Sequence, residues 1–553
     1  MTSRMHAITP RPLASAALLC AVGAASALAQ ADTVPASLPG SQVRVEKLFE
    51  ARLLDARRID VAPSLPALDT SLVPQRYEVL PVDSEIEYPA PRIRPLAVKV
   101  DPPPPAYGGF ARLGGGLPAS WLADAGYAAS TERYLLRADA HTYGFRGNFN
   151  DDQRYAEVDA HLGGTYYATE ELAVDLDVDF DRRGFRYYGF DEARRDTSAR
   201  LVGPDARQHF NVLGLRAGLR NAAETAPGID YRAHVSADFL SDNFAVDERH
   251  FRLEAMARRD FSEAWYAELA TDALFVRYGG VEDQRLNVVQ IQPTVGAHFD
   301  RVGLRLGVNV ANEDDEFRLY PAIEATYAAR PTLVFVAGAD GGPEAQTYRS
   351  LSRYLPFVVD DPELRIAQAW RFFGGVQTKV RGIDLAVTAG FERVNNLALF
   401  VSDSAAVHRF RPRYDSAGVT FVKLEASAPI LARLSGHLHV ETRSFGLETA
   451  EDPYLLPGFD AQLRLRYELL PGRANASALF VAQNALPVLA PDGLETAPET
   501  GGLYDFSVHG DYRLTERFAA FAQLNNLFNN RRRKFPYYPT LGANVLVGLT
   551  ARF

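Results

Sequence analysis

The sequence predicts an all-β protein, a transmembrane antiparallel β-barrel of about 22 strands, and three observations predict it. The first is the C-terminus, Ala543 to Phe553 (ANVLVGLTARF), where Val545, Val547, Leu549, Ala551 and Phe553 share one face. Asn544, Gly548, Thr550 and Arg552 share the other, with Leu546 the one apolar exception. Such alternation is a strand with one apolar and one polar side.

The second observation is that the pattern repeats. Ile229, Tyr231, Ala233, Val235, Ala237 and Phe239 alternate with Asp230, Arg232, His234, Ser236 and Asp238. Leu172, Val174, Leu176, Val178 and Phe180 are set against Asp175, Asp177, Asp179 and Asp181. Leu463, Leu465, Tyr467 and Leu469 oppose Arg464, Arg466 and Glu468. A soluble sandwich would bury the apolar set, whereas a membrane barrel turns it to lipid and the charges into a wet lumen. Length separates the two. Many of these segments reach ~10 residues, the span of a tilted membrane strand, while soluble strands average about five or six.

The third observation is rhythm. Short links fall at Thr131–Arg133, Thr169–Glu171, Ala223–Gly228, Ser262–Ala264, Asp300–Gly303, Arg330–Thr332, Arg381–Gly382, Ala428–Leu431, Pro471–Arg473 and Thr515–Arg517. Mostly longer polar connections lie between them, the longest at Gly184–Arg207, Gly338–Gln368, Val401–Arg413, Thr449–Gly458, Pro491–Gly502 and Asn529–Thr540. Short periplasmic turns and long outer loops are the expected asymmetry of a bacterial barrel. Tyr134, Phe261, Trp265, Tyr327, Tyr512 and Phe518 sit beside the short links, where an aromatic girdle belongs.

The N-terminus sets the compartment. Residues 1–29 read as a secretory signal peptide: Arg4 and Arg11, an apolar stretch Leu13 to Ala25, then Ala27-Leu28-Ala29 as the cleavage site. The single cysteine, Cys20, lies inside it, so cleavage leaves no disulfide, thiol or cysteine-ligated metal. The formal net charge is −10. Loss of Arg4 and Arg11 makes the mature chain more acidic still, a poor match for nucleic acid. After the leader no apolar run approaches the ~20 residues of a spanning helix. In a membrane, only a closed barrel would then satisfy the backbone. The expected site is the outer membrane, with its lipid as the first partner.

From Leu503 onward the chain resembles the end of TonB-dependent receptors. The carriers are YDFSVHGDYRLTERFAAFAQLNNLFNN, the loop KFPYYPTLG and the closing ANVLVGLTARF. The resemblance implies a 22-stranded receptor-like barrel, a terminal strand read by the barrel-assembly machinery, and passage or uptake of a solute. TonB, or a periplasmic or surface partner, would then be engaged. The departure is at the front. Residues 30–105 are too few for the usual plug domain and hold thirteen prolines, which remove ladder donors. The arrangement resembles a plugless receptor-like family of Bacteroidetes and their relatives: signal peptide 1–29, a proline-rich extended arm 30–105, periplasmic or lumenal, and barrel 106–553. Within the arm, Val43-Arg44-Val45 is a strand-like segment that could pair with a partner's sheet edge, although a linker or an arm lying against the inner wall fits the same residues. The alternative function is a non-transporting scaffold whose arm docks an envelope-assembly partner.

Candidate chemistry is sparse, and no catalytic residue, cofactor or metal is expected. Asp175, Asp177, Asp179 and Asp181 could draw in cations, but a lumen wall neutralised by Arg216 and Arg220 explains them as well. The loop around Arg182 to Asp196 mixes arginines and aromatics in a composition suited to sugars or anions. His141, His161 and His234 fall on inward faces near acids, yet nothing in the sequence places a nucleophile and oxyanion donors beside them.

Overall fold

The computed structural model describes residues 108–147, 153–188, 207–489 apart from 224, 226, 405 and 407, and 500–553. The signal peptide with Ala27 and Ala29, the arm with Val43, Arg44 and Val45, and most of loop 491–502 lie outside the described residues. Among the described residues, twenty-two antiparallel strands form one sheet, each paired with its neighbours in chain order. The first, Gly109–Leu117, also pairs with the last, Asn544–Arg552, from Phe110 opposite Arg552 to Leu117 opposite Val545. The sheet therefore closes, and no edge remains. No helix among the described residues is long and apolar enough to cross a membrane, so the strands do the spanning.

The faces follow the alternation. Val235, Phe239, Leu176 and Val178 are exposed on the outside, while Arg232, His234, Ser236 and Asp238 line the lumen. Tyr134, Phe261, Trp265, Tyr327, Tyr512 and Phe518 are all exposed beside the short turns, as a girdle requires. In the closing strand Val547, Leu549 and Phe553 face outward. The exception, Leu546, points inward and is 1% exposed. Room for it comes from the absence of neighbouring side chains: a Cβ on Gly548 would lie 2.5 Å from Phe521 Cζ, and one on Gly114 would lie 2.8 Å from Leu546 Cδ2. Arg112 stacks on the same Phe521 ring, 3.8 Å from its centroid.

Two expected connections are displaced. The strand Phe410–Leu431 runs through Ala428–Leu431 and turns only at Ala432–Arg433. Pro429 reads as a turn because it lacks an N–H, but a register shift between Pro429 and Leu431 absorbs it at the strand's end. Gly338–Gln346, glycine-rich and interrupted by Pro343, is likewise strand, continuing Leu333–Gln346 and pairing with Arg365–Phe373. The true connection is residues 347–364.

The main apolar core joins wall strands to loops. It lies at the long-loop end, where the connections fold inward and bury their aromatics together.

Candidate functional site

The inward-folded loops make a cap, and its centre is the connection 347–364. A short helix, α1 (Tyr348–Tyr354), starts at an N-cap Thr347 whose hydroxyl accepts from the Ser350 N–H, with the Ser350 hydroxyl accepting in return from the Thr347 N–H. Glu248 on the wall accepts from the N–H groups of Tyr348 at 2.7 Å and Arg349 at 2.9 Å, so a wall carboxylate receives the helix's free donors. Arg349 also pairs with Asp238 at 2.8 Å. Beyond the helix, Phe357 is fully buried and stacks on Tyr538 with ring centroids 3.5 Å apart. Tyr187, Tyr188 and Phe535 pack around it.

Hydrogen bonds tie the loops to one another. Phe410 N–H donates to the Phe357 carbonyl and Val359 N–H to the Phe410 carbonyl, both at 2.9 Å. Tyr354 Oη donates to the Leu455 carbonyl at 2.5 Å, Tyr538 Oη to that of His408 at 2.7 Å, and Tyr188 Oη to that of Pro539 at 3.0 Å. Arg409 joins Asp360 at 2.8 Å and donates to Tyr187 Oη. Burial raises the Tyr187 phenol to about 12. Burial, reinforced by the neighbouring Arg409 charge, pulls His408 down to about 4.

Beneath the cap lies a cavity of about 1040 Å³. Its roof includes α1 and Leu456, and its wall runs from the strand Tyr134–Arg146 round to Ile383–Ser402. Charges crowd it and are mostly paired: Arg252 with Asp272 and Arg371 with Asp340, each through two nitrogens. Arg353 reaches in from the roof, and burial together with the like charges of Arg183 and Arg349 lowers its pKa.

The aspartate row fits the paired-wall reading. Asp175 accepts from Arg220 at 3.1 Å and from Thr165 at 2.6 Å, Asp179 pairs with His161 at 2.7 Å, and Asp181 pairs with Arg183 at 3.1 Å. Arg216 faces Asp177 in register and lines the cavity. Tyr187 and Tyr188, in the loop suited by composition to sugars or anions, have no free ring face to offer, because the cap buries both. His141 bonds Asp124 and Glu157, and the hydrogen bonds of His141 and His161 run to carboxylates rather than to a serine.

Length and the need to gate a wide lumen single out the long loops Gly338–Gln368 and Asn529–Thr540, which supply much of the cap; what sequence reasoning missed is that the loops pack on one another. The signal of that packing was present as aromatic clusters inside polar connections: Tyr187-Tyr188, Tyr354 to Phe357, and Phe535 to Tyr538. Solvated loops have no use for so many rings, which are worth burying.

No protein-family model matches the chain, and no curated protein matches it in sequence. Solved structures match its shape. The FrpB iron transporter of Neisseria meningitidis aligns with a TM-score of 0.63 at 10% identity, covering 81% of each chain. The fold is that of an outer-membrane receptor barrel. The siderophore receptor PirA of Acinetobacter baumannii aligns at 0.63 and 10% identity over 80% of each chain. A mutant of the ferric enterobactin receptor PfeA of Pseudomonas aeruginosa aligns at 0.61 and 12% over 80% of each. With an apolar exterior and an aromatic girdle, this receptor-like barrel is an outer-membrane protein.

Proposed function

We propose that this barrel takes up a solute across the outer membrane, with the loop cap as its outer gate. The observation that carries the reading is the cap itself, an aromatic-cored lid over a charged cavity inside a barrel of 22 strands. A barrel this wide conducts freely unless something fills it, and a cavity lined by paired charges suits a polar cargo better than an apolar one. The similar solved structures carry the titles of siderophore receptors and an iron transporter, which supports uptake as the role. In this reading the arm 30–105 carries the partner contact, with Val43-Arg44-Val45 pairing to TonB as a strand.

Planar-bilayer recording tests it. Phe357→Ala removes the ring that stacks on Tyr538 and should weaken the cap by roughly 3–5 kcal/mol. Channel steps should appear where the parent is closed, and replacing 348–363 with a short Gly-Ser linker should enlarge them. Deleting the arm reports separately on whether the arm also occludes the lumen. If the cap variants, the arm deletion and both together stay closed while the barrel remains folded, uptake through this lumen is wrong. Loss of a co-purifying periplasmic partner on arm deletion, with conductance unchanged, would favour the scaffold instead.

A further inference from the structure

One rung of the wall has an unusual composition. In register across four adjacent strands stand Asp124, His141, Asp159 and Asp181. Glu157 lies two residues from Asp159 on the same inward face. Side chains directly opposite in a sheet are neighbours, and like charges placed so are destabilising. Here Asp159 faces Asp181 with a third carboxylate beside it. The wall offers Arg183, which pairs with Asp181 at 3.1 Å, and Arg112, 3.9 Å from Asp124.

We infer that His141, Glu157 and Asp159 form a binding site for a divalent first-row transition cation on the lumen wall beneath the cap. One ligand atom from each lies within 4.8 Å of the others. A cation held at ~2.0–2.2 Å by nitrogen and oxygen draws its ligands to about 3–4 Å apart, a contraction that small side-chain rotations supply.

The groups behind the ligands strengthen the case. The other ring nitrogen of His141 bonds the buried Asp124, the carboxylate–histidine arrangement that orients a metal-binding imidazole. The second oxygen of Glu157 accepts from Tyr155 Oη at 2.6 Å, leaving the first, 3.4 Å from His141 Nε2, turned toward the centre. One imidazole with two carboxylates suits zinc, manganese or ferrous iron, whereas calcium requires six to eight oxygens. His141 and Asp159 line the cavity, so a cation has access from it. The site stands whether or not the barrel transports.

Titration calorimetry with Zn²⁺ on tag-free, chelator-treated, detergent-solubilised full-length protein decides the matter. The expected result is one saturable site per chain, with Glu157→Gln/Asp159→Asn weakened at least tenfold. Asp124→Asn should lose roughly 10- to 100-fold by misorienting the imidazole. Asp175→Asn, on a carboxylate already engaged by Arg220 and Thr165, should bind as the parent does. Heat-modifiable gel mobility confirms that each variant is folded. Should a variant not fold, the Co²⁺ visible spectrum of the parent supplies the second reading: nitrogen- and oxygen-ligated bands are expected. A parent with no saturable site, calcium binding as tight as zinc, or a folded double variant that binds unchanged would each overturn the inference.

Discussion

An arginine introduced at Val235 or at Ser236 tests the assignment of faces one residue apart. Val235 is mid-strand in Ile229–Asp242, 40% exposed on the outer face, with Ala217 and Leu253 opposite it. Its position near the bilayer midplane sets the cost of Val235→Arg at ~2–4 kcal/mol. Ser236 faces the cavity, so Ser236→Arg keeps its charge in water. The neighbours there are not neutral: Arg216 and Arg252 stand opposite Ser236 on either side. Like-charge crowding adds about 0.2–1 kcal/mol. The two variants should differ by roughly 2 kcal/mol, about 30-fold in the folding equilibrium. Reversible folding into lipid vesicles, titrated with guanidinium and followed by tryptophan fluorescence, measures it. Equal destabilisation of the two would refute the face assignment, and a larger loss for Ser236→Arg would reverse it.

Two further outcomes follow. Phe553→Asp should impair insertion, visible as loss of the heat-modifiable gel band, because the terminal aromatic projects from the outer face; its backbone bonds to Gly109 at 2.9 and 3.0 Å do not depend on the side chain. The cap should also loosen in acid. His408 titrates at about 4 in the folded protein against an ordinary value near 6.5, so the unfolded chain binds the extra proton first. Its effect is absent above pH 6.5, grows as pH falls toward 4 and then levels off. Proteolysis of the cap loops should rise through that window, and His408→Asn should flatten the rise. An identical pH profile in the variant would exclude His408 as the cause.

The sequence alone determined the barrel because its evidence is local. A period of two is written into each strand, and the side that meets lipid must be apolar over a length the bilayer sets. The terminal strand, the outward girdle and the inward aspartate row were all legible on that basis. Connections were legible where turn residues were unambiguous and misplaced at Pro429 and Pro343, because a proline near a strand end reads as a stop whether the ladder shifts register, as at Pro429, or runs on unshifted, as at Pro343. The long loops and their aromatic clusters were legible, but their packing on one another as a cap was not. The cap joins residues as far apart as Gln153 and Pro539, separated by 386 positions, and Tyr188 and Pro539, separated by 351. No local pattern encodes which loops meet over the lumen; the closed sheet decides it by bringing their ends to one rim. The same holds for Asp124, His141, Asp159 and Asp181: each reads as an ordinary lumen residue on its own strand, and only the register of four strands sets them side by side.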